Sequence, residues 1–189
     1  MTAIITILTE GFADWETSLL NGVARGFYKA ETHYATPGGK PVTSTGGMKV
    51  APDLALESLD LEQFDALIVC GGEIWQTPNA PDLTELLHAA RVKGKVIGAI
   101  CDGTVAAART GVLDTIAHTS NGAGYLDATG YQGKAHYRDV PHAVADQKVI
   151  TAAATAPVSF MSEVMRSLGL ADDNLAYYVG MHAAQHRSA

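Results

Sequence analysis

The chain has 189 residues and a formal net charge of −7, from 13 basic and 20 acidic side chains, with no basic block anywhere. That balance argues against nucleic acid or an anionic membrane as a partner. With 47% hydrophobic residues the chain is not of the disordered class, and its length predicts a single domain over residues 1–189. No apolar run approaches the roughly 18 residues that span a bilayer. The first ten residues read as a strand rather than a leader, and two cysteines make no disulfide framework. A cytoplasmic location is therefore expected.

Along the chain, strand-like and helix-like segments alternate. Ala3–Leu8 is β-branched and apolar. Asp14 is placed to cap a helix starting near Trp15, with Leu19, Leu20, Val23 and Phe27 on one face. Glu31–Ala35 reads as a second strand, Pro37-Gly38-Gly39 as a turn, and Val42–Val50, broken by Gly46-Gly47, as a hairpin. Ala66–Cys70 has the pattern of a buried strand. A helix marked by Leu83, Leu86, Leu87 and Ala90 stops at Gly94. Val96–Ile100 is the next buried strand, and a helix of small residues follows it to Arg109.

The second half is less regular. Tyr131–Ala145 alternates weakly and predicts a hairpin, and Lys148–Ala153 a strand. Pro157 opens a helix with Phe160, Met161, Val164, Met165 and Leu168 on one face, ended by Gly169. A last helix is predicted from about Asp172 to about Arg187. Such alternation implies βαβ units, hence a flavodoxin-like, doubly wound α/β sandwich: a mostly parallel sheet with helices on both faces. Sites in such folds lie beyond the carboxyl ends of the strands, here just after Leu8, Cys70 and Ile100.

Three segments at those positions carry the chemistry. In Val96-Ile97-Gly98-Ala99-Ile100-Cys101-Asp102-Gly103-Thr104 a buried strand runs into one reactive side chain and straight on into a helix. This is the strand–turn–helix pattern of a nucleophile elbow with cysteine as nucleophile. The helix N-terminus after Cys101 would favour the thiolate. The alternative is a buried, inert cysteine. In Cys70-Gly71-Gly72-Glu73-Ile74-Trp75, two glycines after a strand can bring N–H groups close to a neighbouring oxyanion, or simply make a turn. In Gly11-Phe12-Ala13-Asp14-Trp15-Glu16-Thr17, Glu16 falls at the same rim as Cys101, although acidic residues suit any first helical turn.

Together these segments resemble the ThiJ/PfpI superfamily, which has a class I glutamine amidotransferase-like fold and includes the parkinsonism-associated deglycase. Ala99-Ile100-Cys101-Asp102-Gly103 is similar to its nucleophile elbow. Glu16 matches its carboxylic acid beside the cysteine, and Gly71-Gly72 its glycine pair. The resemblance implies Cys101 as nucleophile, Glu16 as its acid partner, and the amides of Gly71, Gly72 and Asp102 as oxyanion donors. It also implies a homodimer.

The departures narrow the chemistry. Asp102 stands where the proteolytic branch has a histidine base, and the late His-x-Glu pair of glutamine amidotransferases is missing, so neither of those activities is expected. His118, in Ala117-His118-Thr119-Ser120-Asn121-Gly122 after a further predicted strand, is the remaining candidate base, with a packing role as the alternative. Asp14, Trp15, Trp75 and Asn121 are expected to line the pocket. No metal is expected, because the histidines lack ligand spacing and Cys-x-x-Cys is absent. No cofactor is expected either. The expected function is cysteine-dependent hydrolase, hydratase or glyoxalase/deglycase-type chemistry on a small electrophilic carbonyl or amide-like molecule. The alternative is a non-catalytic oxidative-stress sensor, with Cys101 oxidised to a sulfinic acid, or a chaperone-like protein. Cys70 and Cys101 end predicted neighbouring strands, so a disulfide between them is also considered. A one-residue offset in register would turn the sulfurs apart.

Overall fold

A computed structural model of the chain describes residues 1–184. Seven strands form one sheet, in the spatial order β5-β2-β1-β6-β7-β9-β8. They are β1 (Ala3–Ile7), β2 (Glu31–Thr36), β5 (Leu54–Ala55), β6 (Ala66–Val69), β7 (Val96–Ile100), β8 (Val144–Asp146) and β9 (Val149–Ala152). All pair in parallel except the edge strand β8, which runs antiparallel to β9. The hairpin foreseen over Val42–Val50 is a separate pair, β3 (Val42–Thr43) with β4 (Lys49–Val50).

The α-helices among the described residues are α1 (Asp14–Tyr28), α2 (Thr84–Val92), α3 (Gly103–Arg109), α4 (Pro157–Ser167) and α5 (Asp173–Ala184). Side-chain alternation along the strands divides the main core in two, with a smaller cluster of Leu8, Phe12, Val42 and Cys70 beside it. Ile4, Ile68, Ile100 and Ile150 pack with Leu20 and Val23 of α1 and with Phe160, Val164 and Met165 of α4. Ile5, Ile7, Leu67, Val69 and Ile97 pack on the other face with Leu87 and Ala90 of α2 and Val105–Ala108 of α3. The central strands are buried along their whole length, as their unbroken apolar runs require.

Three expectations change. Asp14 is the first residue of α1 and not its cap: Ala13 holds that position without a side-chain cap. The segment before His118 is turn rather than strand, and His118 makes only an isolated bridge to Tyr137. Of the predicted Tyr131–Ala145 hairpin, only Val144–Asp146 pairs in the sheet, and Gly133–His136 is a short 3-10 turn. Two of its aromatic residues, Tyr131 and Tyr137, pack on His118 instead of on a sheet face. The end of the last helix, toward Arg187, lies outside the described residues.

Candidate functional site

The site forms where the chain leaves β1, β6 and β7 at their carboxyl ends. The Ala13 N–H donates to the Gly71 carbonyl at 3.0 Å, which ties the start of α1 to the turn after β6. One helical step on, Trp15 points outward and is 51% exposed, whereas Glu16 is fully buried. The Gly71 N–H donates to Glu16 Oε2 at 2.8 Å. Glu16 Oε1 is buried without a hydrogen-bond partner of its own, and the Cys101 thiol is the polar side chain next to the carboxyl. Asp14 turns the other way: its Oδ2 accepts from the Ser44 hydroxyl at 2.5 Å and the Gly46 N–H at 3.2 Å, fastening the β3–β4 hairpin to α1.

Gly71 is required by space. A Cβ there would overlap Glu16 Oε2 and sit 2.8 Å from Cys101 Cβ. The glycine therefore lets the carboxyl and the thiol close over one backbone position. Gly103 does the same for the helix that follows the cysteine, since a Cβ there would overlap the Val69 carbonyl oxygen.

Cys101 has φ 55°, a left-handed conformation that costs a non-glycine residue roughly 1–2 kcal/mol. The neighbours fix it on both sides. Its N–H donates to the Ala152 carbonyl at 2.9 Å, and its carbonyl accepts from the Thr104 N–H at 3.0 Å and the Thr104 hydroxyl at 2.6 Å. The resulting elbow lifts the sulfur out of the β7 line, where Asn121 Nδ2 donates to it at 3.4 Å. Asn121 is itself oriented by the Ala154 N–H, which donates to its Oδ1 at 2.9 Å.

Asp102 is buried as well. Its Oδ1 accepts from Gln76 Nε2 at 2.8 Å and from the Tyr125 hydroxyl, and Gln76 Nε2 also donates to that hydroxyl at 2.9 Å. Neither Gln76 nor Tyr125 stands out in the sequence. Each lies in an irregular stretch with no periodicity, and only their convergence on Asp102 marks them. Among the described residues, the Gly72 and Asp102 N–H groups donate to no protein acceptor, whereas the Gly71 N–H is taken by Glu16.

The electrostatics follow from burial. Glu16 is raised to about 7, chiefly by desolvation, with the adjacent Cys101 thiol and the Gly71 N–H pulling it back and the charge of Asp102 pushing it up. Burial pushes the Cys101 thiol up to about 12; the Asn121 hydrogen bond lowers it, and Glu16 and Asp102 raise it. Burial and the two carboxylates thus oppose any help from the short α3 helix, which was expected to favour the thiolate. Glu16 and Cys101 titrate as a pair, and the second proton leaves against the charge exposed by the first.

Other expected residues have hydrogen-bond partners other than the sulfur. His118 is fully buried, with Nδ1 2.9 Å from the Ile116 carbonyl and Nε2 3.4 Å from the Tyr131 hydroxyl. The Tyr131 and Tyr137 rings pack edge-on against it. Trp75 is a core residue whose indole N–H donates to the Cys70 carbonyl at 2.8 Å, supporting the glycine turn from beneath. Both cysteines are free. Register pairs Val69 with Ala99, which sets Gly71, not Cys70, beside Cys101. The Cys70 thiol points instead toward the Ala13 carbonyl and the Thr17 hydroxyl.

The DJ-1/PfpI family model matches residues 2–167. A DJ-1 superfamily protein from Agrobacterium tumefaciens has a structure similar over 99% of this chain and 100% of its own, with TM-score 0.93 and 43% identity. A ThiJ/PfpI family protein from Bacillus anthracis covers 96% and 91%, with TM-score 0.86 and 29% identity. Among curated proteins, the Bacillus subtilis protein described as the uncharacterized protease YoaZ is 32% identical over 148 residues, 76% of this chain and 70% of its own length. A Caenorhabditis elegans protein, the glutathione-independent glyoxalase DJR-1.2, is 32% identical over 81 residues, 42% of this chain and 44% of its own length. A flavodoxin-like sheet, a strained cysteine after β7 and a buried glutamate beside it thus accompany a family match across most of the sequence: the chain belongs to the DJ-1/PfpI family.

Proposed function

We propose that this protein is a cysteine-dependent enzyme acting on a small electrophilic carbonyl or amide-like molecule, by hydrolysis, hydration or glyoxalase/deglycase-type chemistry. The observation that carries the reading is the Glu16–Cys101 pair, a carboxyl raised to about 7 against a thiol held in a strained elbow. The thiol sulfur adds to the electrophilic carbon, and the carbonyl π electrons move to oxygen. The thiol proton passes to the Glu16 carboxylate, which returns it to the developing anion or to the leaving atom. The N–H groups of Gly72 and Asp102 are available to hold the oxyanion. Asn121 steadies the sulfur. Gly71 serves Glu16 instead of the oxyanion, and His118 has both nitrogens occupied, so Glu16 is the preferred proton carrier.

A panel of small aldehydes, amides and isonitriles, tested with the wild-type protein and Cys101→Ser, checks this reading. Turnover of at least one substrate class, abolished in the variant, is expected; no turnover of any class would defeat it. Competitive alkylation at neutral pH should label Cys101 well before Cys70, which is sealed in the core with its thiol pushed further up by burial. Predominant labelling of Cys70 would contradict the geometry.

The sensor reading has one observation in its favour. The unpartnered Glu16 Oε1 could donate a proton to a sulfinate oxygen on Cys101. Intact mass after mild peroxide treatment distinguishes it: a gain of two oxygens on Cys101 without turnover of the panel favours the sensor. A homodimer, also part of the proposal, is consistent with the exposed Trp15, Phe27 and Tyr177, and light scattering tests it.

A further inference from the structure

The Gln76–Asp102–Tyr125 cluster has a consequence for what the site accepts. Gln76 Nε2 has two hydrogens, one given to Asp102 Oδ1 and one to the Tyr125 oxygen. The single Tyr125 hydroxyl hydrogen goes to Asp102 Oδ1. Every polar hydrogen of the three side chains is therefore spent inside the ring, and a carboxylate supplies none. What remains is acceptor capacity only: Gln76 Oε1 and Asp102 Oδ2. Asn121 has one Nδ2 hydrogen on the sulfur, turns the other toward the Tyr125 hydroxyl, and accepts from the Ala154 N–H at its Oδ1. The leading charge acting on Glu16 is that of Asp102, and the leading charges acting on Cys101 are those of Glu16 and Asp102, all of them negative.

We infer that the Gln76–Asp102–Tyr125 ring is a specificity wall that selects substrates bearing a cationic or N–H donor group near the electrophilic carbon, and disfavours those bearing a carboxylate there. Among the described residues, the donors at the sulfur are the Gly72 and Asp102 amides and the Asn121 amide, whose hydrogens already face the sulfur and Tyr125, so an anionic substituent finds none left over on the ring. A carboxylate would have to lose its hydration beside Asp102, whereas an ammonium, guanidinium or amide N–H finds an acceptor already held in place. Tyr125 and Gln76 act as positioning residues, because they hold Asp102 in one orientation. The inference rests on the proposed reactivity of Cys101 and deepens it.

Three methanethiosulfonate reagents of one reactive group and different charge test it without knowledge of the substrate: aminoethyl (cationic), methyl (neutral) and sulfonatoethyl (anionic). Each forms a mixed disulfide on Cys101 as methanesulfinate leaves. Rates are divided by those for a small free thiol at the same pH, and peptide mapping assigns the label. The expected cation-over-anion preference is about tenfold beyond the free thiol, shrinking at high salt and collapsing in Asp102→Asn. The salt arm needs no variant, so a poorly folding Asp102→Asn leaves the inference testable. Labelling of Cys101 at free-thiol ratios, or a preference that survives both salt and Asp102→Asn, would overturn the inference and leave the reactive-cysteine reading standing. Absence of labelling by all three reagents would overturn both.

Discussion

At pH 8, Glu16→Gln is expected to be more stable than the wild-type protein by about 3 kcal/mol while losing most of its activity. An acid whose pKa rises on folding binds its proton more tightly in the folded state. Between the ordinary value of 4.5 and about 7, the folded protein therefore carries more protons than the unfolded chain. Over that window stability falls as pH rises, and below it Glu16 contributes no pH dependence. Glutamine buries no charge, can still accept from the Gly71 N–H, and should remove this slope. For a chain of this size the gain at pH 8 corresponds to a melting temperature higher by roughly 10 °C. The thiol titration should also move down, since the Glu16 charge that raises it is gone. Urea unfolding of both proteins at pH 4.5, 6 and 8 is the measurement. Parallel stability curves would mean that Glu16 is not the buried acid described above. Activity falls for a separate reason, because an amide cannot relay the thiol proton.

Gly71→Ala should have the opposite profile, damaging both stability and the site. The added methyl group overlaps Glu16 Oε2 and crowds Cys101 Cβ, and neither can retreat easily from a fully buried glutamate and a strained elbow. A loss of about 1–3 kcal/mol is expected, the usual cost of overpacking, together with displacement of the carboxyl from the thiol. Gly22→Ala is the control. It lies on the outer face of α1, where a Cβ meets nothing within 4 Å, and should be neutral or stabilising by about 0.5–1 kcal/mol. Unfolding midpoints and Cys101 alkylation rates of the two variants check both statements. Equal stability of Gly71→Ala and wild type would show that the carboxyl and thiol are not packed over this position.

The sequence was most legible where one physical pattern dominates. The apolar runs of β1, β6 and β7 predict buried parallel strands because strands covered on both faces have no polar side to alternate with. The amphipathic pattern of α4 predicts a helix opened by Pro157. Glu16, Gly71 and Cys101 were readable as a group because each follows such a strand. Between α3 and β8 the chain is irregular, and its order comes from tertiary contacts such as the rings around His118, which leave no periodic trace. Hydrogen-bond partners were the least visible layer. Whether Asp102 faced solvent or a phenol, and whether the Gly71 N–H was free or spent on Glu16, depends on side-chain direction and not on residue type.

The register of the parallel sheet also sets an order of events for a newly made chain. β1 joins β2 by pairing Ala3 with Glu31, but its other neighbour is reached only when Ile4 meets Ala66, and β7, already beside β6, gains its far neighbour only when Val149 meets Ile97. These are distant closures, whose entropy is lost before contacts repay it, and such topologies fold slowly compared with helical bundles. The elbow backbone is held by the Ala152 carbonyl and the sulfur by Asn121, so the left-handed turn at Cys101 gains its full support only after the last of these closures. Until then Cys101 is an ordinary, flexible cysteine, and the tuned thiol emerges only once the segment from Asn121 to Ala154 has docked.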